Sequence, residues 1–527
     1  MEKERKYFPQ GFKMINKIKL FFKYVSLNSE EKKFIKSKLF IKKSEDSQKI
    51  LFQIPMDYYF LLMSKTIILE RHQKNQLIGI WPYFFNPQQK KNFSIFEITN
   101  FLKNKFFFYF LKKKWSKIYK HNNINLVLDF SKIKLSSLYF ALKNFSKINN
   151  KIKTKRDILN IKFKNIHVGD LIYDTYIRYR ARPEVDIRDK YLKFIIFYSL
   201  IIFKNINLYL IKNKPKIYYT SYSSYINHGL LVRVFISKNI KVISLPRNYG
   251  NNYSNLLTKK FPYAKKNYYN LLSQFKKIKN KKKSLILSKN QLNNRFQGRK
   301  ENLTKYLKHK AQYNIINYKN NSFNYEGVVF LHDFYDAPHE AGLKIFSDFY
   351  EWFKFTAKTV NQYNLNFAFK FHPNSKPESI KFNKYLKSRY KEINFLPEKT
   401  SNTEIFKSQK FKVGISVCGS VLYELILFKK NIIYLSPNLV SPLNLIKLPQ
   451  SKDDYKHQLV NYHLLKKINQ QDISNTYKLY YMLQKDQSYL DLQISKKIKL
   501  KDLNFRDSRD LNKFNNKIIN NSNDFLL

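Results

Sequence analysis

Short apolar runs alternate with longer helical stretches in two separate parts of this chain. Strand-like runs at 50–55 and 77–83 flank a helical stretch at 58–71, and a similar alternation returns after residue 216 and again after residue 327. Parallel strands need a crossover connection, usually a helix, so this order predicts parallel sheets covered by helices. We therefore expect an α/β protein with two Rossmann-like, doubly wound domains that face each other across a cleft.

Changes in composition along the 527 residues suggest where these domains begin and end. Ile15, Ile18 and Phe22 recur at helical spacing among lysines, which predicts a short basic amphipathic helix near the N-terminus. The stretch 276–326 is polar and rich in Lys and Asn, as a connection between domains would be. The predicted divisions are a basic helical extension at 1–48, a first α/β domain at 49–285, a second at 286–490 and a loosely ordered tail at 491–527.

The chain is strongly basic, with 99 Lys and Arg against 37 Asp and Glu and a formal net charge of +62. Such a charge makes nucleic-acid binding a hypothesis to consider. However, the excess is mostly Lys spread along the chain beside abundant Asn, Ile, Phe and Tyr, a pattern that an AT-rich genome produces. We therefore attribute the charge to codon bias and do not expect a nucleic-acid partner. An anionic membrane surface stays open as a partner, because long-range attraction does not depend on the origin of the charge.

Several classes of protein are disfavoured by what the sequence lacks. Its one cysteine, Cys418, excludes an internal disulfide and a Cys-based zinc cluster. It contains no G-x-x-x-x-G-K-[ST], G-x-G-x-x-G, H-E-x-x-H or D-x-D motif. No signal peptide is recognisable, and the most apolar run, 194–203, is shorter than the ~20 residues that span a bilayer. We predict a cytoplasmic protein without cofactor or metal, with peripheral binding to the inner face of the membrane as an alternative.

Three predicted strands of the second domain are each followed by a polar stretch. These polar stretches are 332–339, 372–374 and 416–424. In open α/β sheets, ligands bind just beyond the carboxyl ends of the strands. We therefore predict a phosphate-binding site there, made of His332, Asp336, His339, His372, Pro373, Ser416, Gly419, Ser420 and Glu424.

The turn at Gly419 and Ser420 enters a predicted helix, whose first N–H groups and positive dipole end attract anions. Ser420 could equally be a simple N-cap. His332, Asp336 and His339 have a spacing that also suits a divalent metal. We rank the metal below the anion because no fourth ligand is evident.

In the first domain, Asp170 and Asp174 lie four residues apart on a predicted helix, and either could act as a general base. The alternative is that Asp170 caps the helix and Asp174 pairs with Arg178. The stretch 222–229 follows another strand, so His228 could line a site or have a buried structural role.

Taken in order, these residues resemble capsule and surface-polysaccharide biosynthesis glycosyltransferases of the two-Rossmann-domain GT-B fold. The His372-Pro373 and Gly419-Ser420 elements are similar to the His-Pro and Ser-rich pair of transferases that use CMP-activated sialic acid or Kdo, and of CDP-glycerol transferases. Those families commonly have Ser-Ser where this chain has Gly-Ser, and this chain lacks a clear Asp/Glu-Asp-Gly base motif. The matching stretches are 169–178, 222–233, 295–298, 332–339 with Trp352, 372–373 and 419–424.

The resemblance implies a metal-independent, inverting glycosyltransferase, with a CMP- or CDP-linked sugar donor and a growing, lipid-linked surface glycan as acceptor. It implies that His372 and Ser420 hold the donor phosphate, that Glu424 binds the ribose or base, and that Asp170 or Asp174 is the base. The first domain would then bind the acceptor and the second the nucleotide donor. The alternatives are a CDP-glycerol-type glycerophosphotransferase, a nucleic-acid-binding protein and a non-catalytic assembly factor.

Overall fold

The computed structural model describes residues 22–37, 48–85, 95–245, 254–263, 268–299, 323–372, 377–398, 400–484, 490, 492, 508 and 510–521. The chain divides into two compact units. Unit 1 comprises Met1–Arg180, Asp186–Lys265 and Gln487–Leu527, and unit 2 comprises Ala181–Val185 and Lys266–Asp486.

The strands of the described residues are short, as expected for buried parallel strands. They are β1 (Lys49–Gln53), β2 (Gln76–Ile80), β3 (Leu126–Leu128), β4 (Lys162–Phe163), β5 (Ile166–His167), β6 (Ile217–Thr220), β7 (Lys241–Ser244), β8 (Asn255–Leu257), β9 (Gly327–Phe330), β10 (Phe367–Lys370), β11 (Asn394–Phe395), β12 (Val413–Ser416) and β13 (Asn431–Tyr434).

The α-helices are longer and connect most of these strands. They are α1 (Ser29–Lys36), α2 (Tyr58–Ile67), α3 (Ile95–Lys120), α4 (Leu135–Asn149), α5 (Lys155–Leu159), α6 (Gly169–Arg180), α7 (Lys190–Lys212), α8 (Leu230–Ser237), α9 (Leu271–Lys276), α10 (Lys281–Phe296), α11 (Phe349–Gln362), α12 (Pro377–Arg389), α13 (Asn402–Lys407), α14 (Val421–Leu427), α15 (Lys452–Val460), α16 (Gln470–Gln484) and α17 (Leu511–Asn520).

Unit 1 is built on a six-stranded sheet in the order β3-β2-β1-β6-β7-β8. Its strands are parallel except β8, which pairs antiparallel with β7. Helix α2 is buried along nearly its whole length because its sequence is apolar on almost every side. It continues into a π-helix at Ile68–His72, and a second π-helix at Tyr225–Gly229 follows β6.

Unit 2 is built on a fully parallel five-stranded sheet in the order β11-β10-β9-β12-β13. Strands β10 and β11 are added on one side of β9, and β12 and β13 are then added on the other side. The direction of winding therefore reverses between β9 and β12. Apolar clusters cover both faces of this sheet. Both units are thus doubly wound α/β domains, which confirms the predicted fold class; the cleft between them stays a prediction.

Unit 2 begins earlier in the chain than the boundary at 285/286 that the sequence suggested. Helices α9 and α10 both pack against α16 of unit 2, so the structural boundary lies at 265/266. The lysine run at 281–283 does not lie in a polar connection but starts α10. Residues 300–322 of that predicted connection lie outside the described residues.

The predicted loosely ordered tail contains a helix, α17, that packs against α1 and α2. Leu511, Phe514 and Ile518 are buried at helical spacing, which explains why this segment is held against unit 1 despite its many Asn and Lys residues. Residues 12–21, the main part of the predicted N-terminal amphipathic helix, lie outside the described residues.

Among the described helices, α7 is long and apolar enough to cross a membrane by length and composition. More than half of its most apolar window is buried inside the protein, as in the core helix of a globular unit.

Candidate functional site

The carboxyl ends of β9 and β12 meet in unit 2, where the winding of the sheet reverses. His332 follows β9, and its Nε2 lies 3.4 Å from Ser416 Oγ at the end of β12. The backbone N–H of Cys418 donates to the same Nε2 at 3.3 Å, and the ring stacks on Phe349 at 4.7 Å between centroids. His332 therefore holds the turn after β12 in place, and its Nε2 acts as an acceptor in that contact.

The turn itself is exposed and opens onto empty space. Gly419 has φ of +122°, a backbone conformation that residues with a Cβ rarely adopt, and a Cβ built on it would meet nothing within 4 Å. Conformation, not crowding, therefore requires glycine here, and there is room above the turn for a ligand. Helix α14 after the turn has only seven residues, so its dipole contributes little positive charge. Most of the positive charge that would attract an anion must therefore come from side chains.

Arg295 supplies one of these charges from α10. Its Nε donates to Glu424 Oε1 at 2.7 Å, and its second terminal nitrogen donates to Ser420 Oγ at 2.9 Å. The guanidinium also lies 5.9 Å from the ring centroid of Tyr423. One arginine thus links Ser420 and Glu424 and brings a permanent positive charge to the turn.

Lys370, the last residue of β10, supplies a second charge and is 5% exposed. Burial lowers its pKa to about 8, and the negative charge of Glu424 partly opposes that shift. Within the described residues, its ammonium makes no hydrogen bond and no close ion pair. A buried lysine without a hydrogen-bonded counter-charge is costly, and anion binding would explain why a lysine is kept at this position.

His372 lies two residues beyond Lys370, and its side chain reaches solvent. Desolvation by the surrounding protein lowers its pKa, and the electrostatic interactions with His332 and Lys370 lower it further against the opposing charges of Asp333 and Asp336. His372 is therefore neutral near pH 7 and can donate a ring N–H to a phosphate oxygen. Pro373 lies outside the described residues.

Asp336 and His339 lie in the turns that follow β9. Asp336 is exposed, and its backbone N–H donates to Asp333 O at 3.0 Å. His339 is half-buried. Among the described residues, no three His, Cys, Asp or Glu side chains are grouped as a metal ion would require. His332, Asp336 and His339 are therefore not arranged as a metal site.

In unit 1, Asp170 lies in the first turn of α6 and forms a tight ion pair. Its Oδ2 accepts from Arg233 at 2.7 Å and from the hydroxyl of Tyr263, and its Oδ1 is 3.4 Å from His167 Nδ1. Burial alone would raise the pKa of Asp170, but His167, Arg233 and Tyr263 together hold it well below its usual range. Such a carboxylate binds protons weakly, which makes it a poor general base.

Asp174 lies one turn further along α6 and is fully buried. The stretch 222–229 includes Tyr225, which has φ of +57° although it is not glycine, at the start of a π-helix. Asn227 in that helix accepts from the N–H of Phe85 at 2.8 Å. Positive φ and π-helices both recur at functional sites. The carboxyl end of β6 is therefore the candidate ligand-binding edge of unit 1, as the carboxyl ends of β9 and β12 are in unit 2.

The sequence interpretation did not assign Lys370 and gave Arg295 no role. The signal for Lys370 was present, since it is the one charged residue in the otherwise apolar run at 367–371. Arg295 gave no such signal, because it lies 129 residues before its partner Glu424.

Replacing Gly419 by alanine should strain the turn by about 1–3 kcal/mol and displace Ser420 from Arg295. We expect a lower melting temperature and weaker anion binding, measured by thermal denaturation with and without inorganic phosphate. Ser420→Ala is the matched control, because it removes the hydroxyl and keeps the backbone. Equal melting temperatures for Gly419→Ala and the wild type would show that the turn is not strained.

No protein-family model matches this sequence, and no curated protein matches it. A Methanocaldococcus jannaschii UDP-GlcNAc 2-epimerase, solved with UDP-GlcNAc and UDP, is 13% identical over 84% of this chain and 98% of its own, with a TM-score of 0.26. The Neisseria meningitidis UDP-GlcNAc 2-epimerase, bound to UDP-GlcNAc, is 11% identical over 84% and 100%, with a TM-score of 0.22. A UDP-glucose:anthocyanidin 3-O-glucosyltransferase in complex with UDP is 11% identical over 90% and 100%, with a TM-score of 0.24. TM-scores this low do not establish a common fold or activity.

Proposed function

We propose that this protein is a glycosyltransferase that moves a sugar from a nucleotide-activated donor to a growing surface glycan, such as a capsule or lipopolysaccharide. One observation carries the proposal: Arg295, Lys370 and His372 gather at the carboxyl edge of the unit 2 sheet, around the open turn at Ser420. A nucleotide donor carries the phosphate charge that such an edge would stabilise.

In the proposed reaction, an acceptor hydroxyl oxygen attacks the anomeric carbon of the donor. The new carbon–oxygen bond forms as the bond from that carbon to the phosphate oxygen breaks, and the electron pair leaves with the nucleotide phosphate. Lys370 and Arg295 stabilise the charge that develops on that phosphate, and neutral His372 and Ser420 donate hydrogen bonds to it. Glu424 orients Arg295 and contacts the ribose or base. Attack opposite the leaving group would invert the anomeric centre, and no metal takes part.

The acceptor proton needs a base, and Asp170 and Asp174 remain the proposed candidates. The ion pair with Arg233 makes Asp170 a weak base, and Asp174 is fully buried, so we propose no preference between the two. Among donors, CMP- and CDP-linked sugars are favoured by the sequence resemblance, and a lipid-linked acceptor would suit a basic protein at the inner face of the membrane.

The first test is a thermal-shift screen of the purified full chain with CMP, CDP, UDP and GDP. A ligand that binds only the folded protein raises the free energy of unfolding, by about 2.7 kcal/mol when the ligand concentration is a hundred times its Kd. The melting temperature rises with it. We expect a cytidine nucleotide to give the largest shift and His372→Ala to abolish it. His463→Ala, an exposed histidine of the same unit, should keep the shift. No shift with any nucleotide would overturn the proposal.

The second test measures turnover of donors that are activated with a cytidine nucleotide. Release of CMP from a CMP-sugar, dependent on added glycan acceptor, would support the glycosyltransferase. Release of CMP from CDP-glycerol would instead identify attack at phosphorus, as in a glycerophosphotransferase. Nucleotide binding without turnover would identify a non-catalytic assembly factor.

A further inference from the structure

Helix α4 of unit 1 carries a stripe of apolar side chains that face solvent. Leu135, Tyr139 and Leu142 are 88%, 69% and 58% exposed, and they are spaced so that they lie on one face of the helix. Ile133, just before the helix, is 63% exposed and adds to the same end. Isolated exposed apolar residues are common, but four together on one short segment indicate an interaction surface for a protein or a membrane.

The opposite face of α4 is already used for folding. Ser137 and Ala141 are buried there, and Phe140 stacks on Phe203 of α7 at 6.2 Å between centroids. Phe145 meets Phe197 of the same helix edge-on at 5.7 Å. The exposed stripe is therefore not needed to hold α4 in place, and its apolar character is left for a partner.

The stripe is surrounded by positive charge. Residues 130–156 contain seven lysines and one arginine and no aspartate or glutamate. Lys132 and Lys134 precede the helix, Lys143 and Lys147 lie on it, and all four are exposed. The acidic residue just before it, Asp129, is paired with Lys112 at 2.7 Å.

A neighbouring helix adds more apolar surface. Lys105 of α3 donates to Ser131 Oγ at 3.2 Å, which joins α3 to the start of the α4 segment. The next residues along α3 include Phe106 and Tyr109, which are 61% and 55% exposed.

We propose that the stripe formed by Ile133, Leu135, Tyr139 and Leu142 binds unit 1 to an anionic lipid bilayer. Apolar side chains of this kind insert at the boundary between headgroups and acyl chains, and flanking lysines contact the anionic headgroups. A second copy of this chain fits less well, because pairing two such stripes would bring like charges together. A nucleic acid would contact the lysines but leave the apolar side chains in water.

The test is flotation of the full chain with phosphatidylcholine vesicles that contain or lack phosphatidylglycerol. We expect binding only to the anionic vesicles, and weaker binding as salt is raised. The triple variant Leu135→Asp, Tyr139→Asp, Leu142→Asp should bind about a hundredfold more weakly, because it loses three inserted side chains and gains three negative charges. Leu464→Asp, at a leucine of unit 2 that is 72% exposed, is the matched control and should bind as the wild type does.

Thermal melting checks that the triple variant is folded, and the milder variant Leu135→Ser, Tyr139→Ser, Leu142→Ser should show the same direction of effect. The triple variant should also keep its nucleotide-induced thermal shift, since the stripe lies in unit 1 and the phosphate-binding residues lie in unit 2. Binding of the triple variant to anionic vesicles at wild-type strength would overturn the proposal. So would a change from dimer to monomer in the triple variant, which would identify the stripe as a contact between copies, or a stripe-dependent affinity for duplex DNA in place of vesicles.

Discussion

The variant Lys370→Met should be more stable than the wild type and should lose nucleotide binding. Its stability should rise by about 2 kcal/mol, because methionine fills a similar volume without the cost of a buried charge that Glu424 offsets only in part. Turnover should fall by about 10²–10³-fold, the usual effect of removing one group that stabilises transition-state charge. Thermal denaturation of the ligand-free chain and the cytidine-nucleotide shift measure stability and binding in one experiment, and acceptor-dependent release of CMP from a CMP-sugar measures turnover.

Lys430→Met is the control for Lys370. The Lys430 ammonium also lies in unit 2, and it donates to the carbonyls of Ser408 and Phe411 at 2.8 Å each. Its loss should lower stability and leave the nucleotide shift intact, the opposite pattern to Lys370→Met. A Lys370→Met protein that is less stable and still binds nucleotide would show that Lys370 has a structural role.

The same lysine predicts how nucleotide affinity depends on pH. Its pKa in the folded protein is lowered to about 8, so it loses its charge as pH rises through that value, and affinity for an anion should fall there. The cost that the buried charge imposes on folding is present below pH 8 and disappears as pH rises toward the ordinary lysine range, so ligand-free stability should rise over the same interval. His372 is neutral throughout this range and does not interfere. Lys370→Arg, whose side chain does not titrate, should keep its affinity to higher pH in calorimetric titrations.

The variant Arg233→Met should destabilise unit 1 by about 3–5 kcal/mol, because it leaves the buried Asp170 carboxylate without its cation. The pair is shielded from solvent, with side-chain exposures of 11% and 13%. Urea denaturation followed by tryptophan fluorescence would measure this, since Trp81 and Trp115 lie in unit 1. Arg188→Met, at an exposed arginine of the same unit, is the matched control and should change stability little.

The Arg233–Asp170 pair also predicts an acid dependence. The pKa of Asp170 is lowered on folding, so its contribution to stability is complete above the ordinary carboxyl pKa of about 3.9 and is lost as pH falls through its folded value. The stability difference between the wild type and Asp170→Asn should therefore be constant near neutral pH and shrink only in strong acid. If this difference shrinks already between pH 7 and pH 5, the ion pair is not the source of stability.

The alternation of the sequence was enough to predict both sheets. Strands β9 and β12 lie where the sequence predicted strands, next to the polar stretches at 332–339 and 416–424, because a buried parallel strand is a short continuous apolar run. The rule that ligands bind beyond strand ends also pointed to His332 and Ser416, which lie 3.4 Å apart in the structure. Helix α17 was missed because its buried face has only three apolar residues, within a segment whose composition is that of a polar tail.

The sequence by itself determined the fold class, because strand and helix periodicities are local, and it predicted a ligand at one edge of the sheet, because strand ends follow from those periodicities. Only the tertiary structure decided which charges are paired, both at that edge and in unit 1. Arg295 reaches Glu424 across 129 residues, Asp170 is paired with Arg233 across 63, and Lys370 is buried with no such partner within the described residues. Desolvation and pairing depend on which distant segments pack together, and no pattern along the chain carries that information.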